Sequence, residues 1–192
     1  MNCEFRTFGS RFQAVRQSLL ALLIVLVVPT LLLGQATKVT STEGHYSVIF
    51  PAPAERQVEP PKTEKGFTYS IEMYTATLEG QVFRTVFTSY QGGTVNTEKE
   101  LQANVDNFVK ALSATVTSTK SIEYASPSAN IPGIEFTCET DQLTFHGKFF
   151  VGGNDVWGIV YGARKGSESD VMKEQFFRSL EISRSRAKGE HG

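Results

Sequence analysis

Two histidines, His45 and His146, and the carboxylates Glu72, Glu135, Glu139 and Asp141 are the residues whose types suit acid/base or metal chemistry. Their spacing does not gather them into a known ligand set, because the sequence contains no HxxH, HExxH or CxxC. Glu135, Thr137 and Glu139 alternate with Ile134, Phe136 and Cys138, which puts the three polar side chains on one strand face. Thr144, His146 and Lys148 repeat the period and can face them across a hairpin as cross-strand pairs. The candidate contact residues are therefore Glu135, Glu139, His146 and Lys148. The plain alternative is a half-exposed sheet face whose charges pair with one another. Nucleophilic catalysis has less to build on, since no Gly-x-Ser-x-Gly occurs. The pairs Gly92-Gly93 and Gly152-Gly153 read as turns, because neither opens a helix with phosphate-loop spacing. No cofactor is expected.

These residues need a scaffold, and alternation supplies most of it. Residues 45–50 form a short strand with Tyr46, Val48 and Phe50 on one face, ended by Pro51 and Pro53. The proline-rich, charged segment that follows, with Pro60-Pro61 at its centre, is expected to run over the surface as an extended, mobile connection. In residues 67–78, Phe67, Tyr69, Ile71 and Met73 face one way and Thr68, Ser70 and Glu72 the other. A turn at Glu79-Gly80 and a return strand over 82–90 complete a hairpin with one polar face. Thr97 and Glu100 make a capping box, and Leu101, Val105, Phe108, Val109 and Leu112 predict an amphipathic helix over 98–113. Strands are expected over 116–125, 134–140, 143–151 and 156–163, the last apolar enough to need cover on both faces. A final helix capped by Ser167 or Ser169 presents Val171, Met172, Gln175, Phe176 and Leu180 as one stripe. The fold class is α+β: a three-layer α/β/α sandwich around a central antiparallel sheet.

The N-terminus bears on compartment. Arg6, Arg11 and Arg16 precede the apolar run Leu19 to Leu33, which ends in Gly34-Gln35-Ala36, the order of a secretory signal. As a helix the 15-residue run would reach about 22 Å, short of a hydrocarbon core of roughly 30 Å. Residues 1–36 are expected to be a signal peptide, 37–183 a single domain and 184–192 a disordered tail. The protein would then be exported, periplasmic or extracellular. An uncleaved anchor in the inner membrane is the alternative, and the only membrane contact foreseen. Residues 1–36 hold three of the 19 basic and one of the 20 acidic residues, so the remainder carries a formal charge of −3. Nucleic-acid binding is not indicated. The remainder keeps one cysteine, Cys138, which excludes a disulfide scaffold within the chain and reads as a small buried hydrophobe.

Three stretches taken together, "EGHYSVIFPAPAE", "GKFFVGGNDVWGIVYGARKG" and "QFFRSLEIS", resemble the PsbP-like superfamily and its exported bacterial relatives of unknown role. The resemblance rests on Phe50-Pro51, on the hairpin from Phe149 to Gly162 and on Phe177 to Ile182, and covers residues 43–183. It implies an α/β/α sandwich and an accessory or binding role rather than an enzyme. The leading expectation is an exported, monomeric accessory protein that contacts a protein partner or envelope component. A carrier of a small apolar ligand, held between the sheet and the last helix by Phe176 and Leu180, is second. A hydrolase is third.

Overall fold

The computed structural model describes residues 35–64, 66–126 and 130–183. The expectations for the signal segment before residue 35 and for the tail 184–192 lie outside the described residues. Among the described residues ten strands and two helices follow in order: β1 (Thr37–Ser41), β2 (Tyr46–Phe50), β3 (Glu55–Glu64), β4 (Phe67–Leu78), β5 (Gln81–Gln91), α1 (Thr97–Leu112), β6 (Thr115–Ala125), β7 (Asn130–Glu139), β8 (Leu143–Gly152), β9 (Asp155–Arg164), α2 (Asp170–Arg178) and β10 (Glu181–Ile182). The large sheet has the strand order β3-β4-β5-β9-β8-β7-β6, and every neighbouring pair is antiparallel. A small sheet, β1-β2-β10, stands apart from it. The fold is α+β.

The β4–β5 hairpin turns on Glu79 and Gly80, both at positive φ (51° and 75°), the backbone that a two-residue turn needs to match strand twist. The C-terminal strands are built differently. Gly133, Gly147, Gly158 and Gly162 each lie directly opposite an aromatic residue on the next strand: Phe150, Phe136, Phe149 and Phe145. Each ring occupies the space where a glycine Cβ would stand. The rings therefore lie flat on the sheet, those of Phe136, Phe145 and Phe149 under α1 and that of Phe150 on the opposite face. Leu101 and Val105 of α1 pack with Phe136, Cys138, Phe149, Val151 and Val156 in one core. On the opposite face a larger core joins Tyr46, Val48 and Phe50 of the small sheet to Phe83, Trp157, Ile159 and Tyr161, with Phe176 and Phe177 of α2. From Val156 to Ala163 β9 is buried throughout, as its continuous apolar sequence requires.

Several expectations need correction. The proline-rich segment is not a loop: β3 pairs along β4, and its register shifts between Glu59 and Lys62, where Pro60 and Pro61 sit. An edge strand with a bulge tolerates residues that cannot donate to a ladder, and it needs no apolar side chains of its own. Cover on the second face of the large sheet comes from a small sheet together with α2, not from a helix alone. Its strand β10 is too short to show a period, and β1 carries a single apolar residue, Val39. The N-cap of α1 is Asn96, whose Oδ1 accepts from Lys99 N at 3.0 Å. Glu100 turns away from the cap to accept from the Tyr90 hydroxyl at 2.6 Å. Ser169 caps α2, but Val171 is exposed and Phe177 takes the buried position. Strand β7 starts at Asn130 and runs through Pro132, ahead of the start expected at residue 134.

The polarity of the first hairpin is inverted. Glu72, expected on the solvent side, is buried and shares its face with Tyr74 and Ala76, which pack against the larger core. Ile71 and Met73 point to the other face and are half-exposed. Glu72 is satisfied where it lies: it accepts from Arg56 Nε at 2.8 Å, from Tyr74 Oη at 3.3 Å, and through a short contact from Ser41 Oγ.

Candidate functional site

The register brings the sequence-predicted polar residues together much as expected. Glu135 faces Lys148 and Thr137 faces His146 across β7 and β8. Lys148 Nζ stands 3.5 Å from Glu135 Oε1 and 5.0 Å from the centroid of the Phe177 ring. Thr137 Oγ1 and His146 Nδ1 are 3.2 Å apart. Glu139 pairs with Lys165 at 2.6 Å. Each charge of the patch thus has a partner on the protein, and the His146 ring is oriented by a hydroxyl rather than a carboxylate. Among the described residues no group of three His, Cys, Asp or Glu could hold a metal ion.

Burial, with Lys173 close by, lowers the His146 pKa, against the opposing pull of Asp170, Glu168 and Glu135. A histidine whose folded pKa is depressed takes up its proton less readily when folded. The unfolded chain therefore binds more protons at and below the ordinary value of about 6.5. Stability should be full above that value and fall as pH drops through the window down to the lowered folded pKa. Urea midpoints from pH 8 to pH 5 are expected to decline across that window and to flatten in His146→Gln, which retains a hydrogen-bonding group for Thr137. An unchanged slope in the variant would assign the decline to other groups.

The other predicted residues fall elsewhere. Phe176 is a core residue that meets Phe50 at 5.2 Å and Phe83 at 5.3 Å. One part of it lines an open groove of about 460 Å³ with Ile49, Pro51, Leu78 and Met172. Leu180 is buried away from the groove, and its carbonyl accepts from the Tyr124 hydroxyl at 3.3 Å. His45 is exposed at positive φ, and its carbonyl accepts from Ser183 N at 2.7 Å. Cys138 is buried, and its thiol pKa is pushed up to about 11, chiefly by desolvation.

A second surface was not foreseen. Helix α1 packs against β8 and β7 and reaches β5 at Tyr90, so among the described residues the rest of the same face of β3, β4 and β5 has no helix over it. Cross-strand register places Ile71, Met73 and Thr75 of β4 beside Thr88, Val86 and Arg84 of β5, with Arg84 next to Val160 of β9. Ile71, Met73, Val82 and Val86 are half-exposed and belong to neither core. In the middle of these apolar side chains lies Arg84. Its Nε donates to Thr75 Oγ1 at 3.0 Å. Among the described residues no carboxylate pairs with it, and desolvation by burial lowers its pKa. A half-buried guanidinium without an acid is costly unless something supplies one. On β3, Glu55 and Gln57 lie on this face at the sheet edge. The only hint in the sequence is the pattern Val82-Phe83-Arg84-Thr85-Val86, in which a lone arginine among β-branched residues reads as an ordinary solvent-facing position.

No protein-family model matches the sequence, and no curated protein matches it. Among solved structures, the chain is similar to the solution structure of cyanobacterial PsbP (CyanoP) from Synechocystis sp. PCC 6803, with a TM-score of 0.52 at 7% identity. That alignment covers 83% of this chain and 99% of the other. A crystal structure from Bacteroides thetaiotaomicron VPI-5482 aligns with a TM-score of 0.39 at 13% identity, over 80% of this chain and 50% of the other.

Proposed function

Starting from the PsbP-like fold of this chain, we propose that it is an exported, non-enzymatic accessory protein that binds a protein partner of the cell envelope through the open half of its large sheet. Export is supported by the basic residues, apolar run and small residues at its N-terminus. The observation that carries the docking surface is Arg84, half-buried among half-exposed apolar side chains and without a carboxylate partner among the described residues. The partner element is an amphipathic helix with a carboxylate in its apolar stripe. The strands from β3 to β9 span about 14 Å at roughly 4.8 Å per strand. A helix of about 10 Å diameter fits there beside α1. The carboxylate meets Arg84, and the apolar stripe covers Met73 and Val86.

The test places a photoreactive side chain at Val86 and, separately, at the exposed Val171 of α2, in the full chain expressed in its source cells. The expected adduct forms at Val86 with a peptide whose apolar residues recur at three and four around an Asp or Glu. Arg84→Leu, checked for an unchanged melt, should cut its yield at least about tenfold, since truncating one side of a desolvated charge pair typically costs 2–5 kcal/mol. Equal adducts at both positions, lipid adducts, no adduct, or an Arg84→Leu yield equal to wild type would each overturn the reading.

The groove beside Phe176 favours a second reading, a carrier of a small apolar ligand. Its volume of about 460 Å³ lies within the usual range for such sites, and Ile49, Leu78 and Met172 line it. Leu180 has no part in it.

A further inference from the structure

The two edges of the large sheet are finished differently. At one, β3 carries Glu55, Arg56, Glu59, Lys62 and Glu64 and a bulge at Pro60-Pro61, the devices that blunt a strand edge against pairing. At the other, β6 reads TVTSTKSIEYA: eleven residues without proline, whose charges are Lys120 and Glu123. Nine of the eleven are exposed, and no described element covers its outer edge. Such an edge is a template for one more strand.

We infer that β6 pairs antiparallel with β6 of a second copy of this chain, centred on Ile122. Two antiparallel edges related by a two-fold axis normal to the sheet keep corresponding faces together, so only residues on like faces can meet. The register shift between Val116 and Ser118 limits regular pairing to the stretch that begins at Ser118. Centring on Lys120 would oppose two lysines, and centring on Glu123 would oppose two glutamates, both unfavourable. Centring on Ser121 would place Lys120 against Ile122. Centring on Ile122 opposes the two isoleucines, sets each Lys120 against Tyr124 of the other copy, and sets each Ser121 against Glu123. No like charges meet, and the β-branched and cation–aromatic pairs are favourable ones. The assembly also closes. Joining two copies through β6 leaves β3 at both outer edges, so growth stops at two. This departs from the expected monomer, and it is independent of the Arg84 surface.

The experiment is disulfide trapping of the full chain in an oxidising compartment, with sedimentation equilibrium of the wild type alongside. Directly opposed residues have Cα atoms about 4.5–5.5 Å apart, inside the range a disulfide accepts. Ile122→Cys should therefore run as a dimer on a non-reducing gel, whereas Ser121→Cys and Glu123→Cys alone should stay largely monomeric. Those two variants co-expressed should cross-link to each other, and the wild type should sediment as a dimer. The wild type controls for Cys3 and Cys138. A monomer by sedimentation, no Ile122→Cys dimer, or equal trapping of all three single variants would overturn the inference.

Discussion

Gly158→Ala is expected to destabilise the fold by roughly 3 kcal/mol, at the upper end of overpacking costs. A Cβ at this position would stand 2.6 Å from Phe149 Cε1 and 2.9 Å from Cδ1, inside any contact that carbon atoms tolerate. The ring cannot swing aside. Phe149 is 5% exposed and stacks on Phe136 at 5.4 Å with an interplanar angle of 6°, and the Phe108 ring meets Phe136 edge-on. Trimming the obstructing ring should therefore help: Phe149→Leu with Gly158→Ala is expected to be more stable than the sum of the single changes, by about 1 kcal/mol or more. Gly133→Ala should show no such rescue on truncating Phe150, because its Cβ would also stand 2.7 Å from the Phe149 carbonyl oxygen, a backbone atom. Urea unfolding of the two cycles measures both. Additive losses at Gly158 would mean that the ring and glycine are not packed as a unit.

The second large effect lies at Glu72. Glu72→Ala removes the acceptor shared by Arg56, Ser41 and Tyr74 and leaves a gap in the larger core. The expected loss is about 3 kcal/mol, the low end for breaking a buried pair, because the Arg56 side chain is half-exposed and can rehydrate. Glu72→Gln, which keeps an acceptor without the charge, should lose about half as much. The loss has a location as well as a size. Ser41 ends β1 and Arg56 lies at the start of β3, so Glu72 ties the small sheet and the blunted edge to β4. Amide exchange in Glu72→Ala should quicken at Thr37–Ser41 and near Arg56 beyond the global change. Uniform quickening, or a loss below about 1 kcal/mol, would count against that tie.

Residues that obey a period were legible in the sequence; residues that answer to a neighbour were not. The β4–β5 hairpin could be read because alternation runs to Glu79-Gly80 and resumes, and the boundaries of β8 and β9 followed from their apolar runs. Cross-strand pairing of Glu135 with Lys148 was legible for the same reason. Strand β3 was hidden by its prolines, since the signal that breaks a central strand is tolerated in a bulged edge. The face of Glu72 was misassigned because a carboxylate looks solvent-seeking until Arg56, sixteen residues earlier, is brought beside it. Arg84 was missed on the same account: that no described carboxylate pairs with it is a property of the sheet register and leaves no trace in the chain. The packing motifs around Phe50-Pro51 and the late hairpin pointed to the PsbP-like fold, and they concern packing alone.

The central claim, that the open half of the sheet is covered by a partner, is tested most directly by a native probe on each surface. Met73 lies on the open half and Met172 lines the groove. Mild peroxide treatment of the purified protein should oxidise both half-buried thioethers, and mass spectrometry reads the sulfoxide at each. In intact source cells the account predicts that Met73 is protected relative to the purified protein while Met172 is not. Equal oxidation of Met73 in the two settings would contradict it, and protection confined to Met172 would transfer the function to the groove.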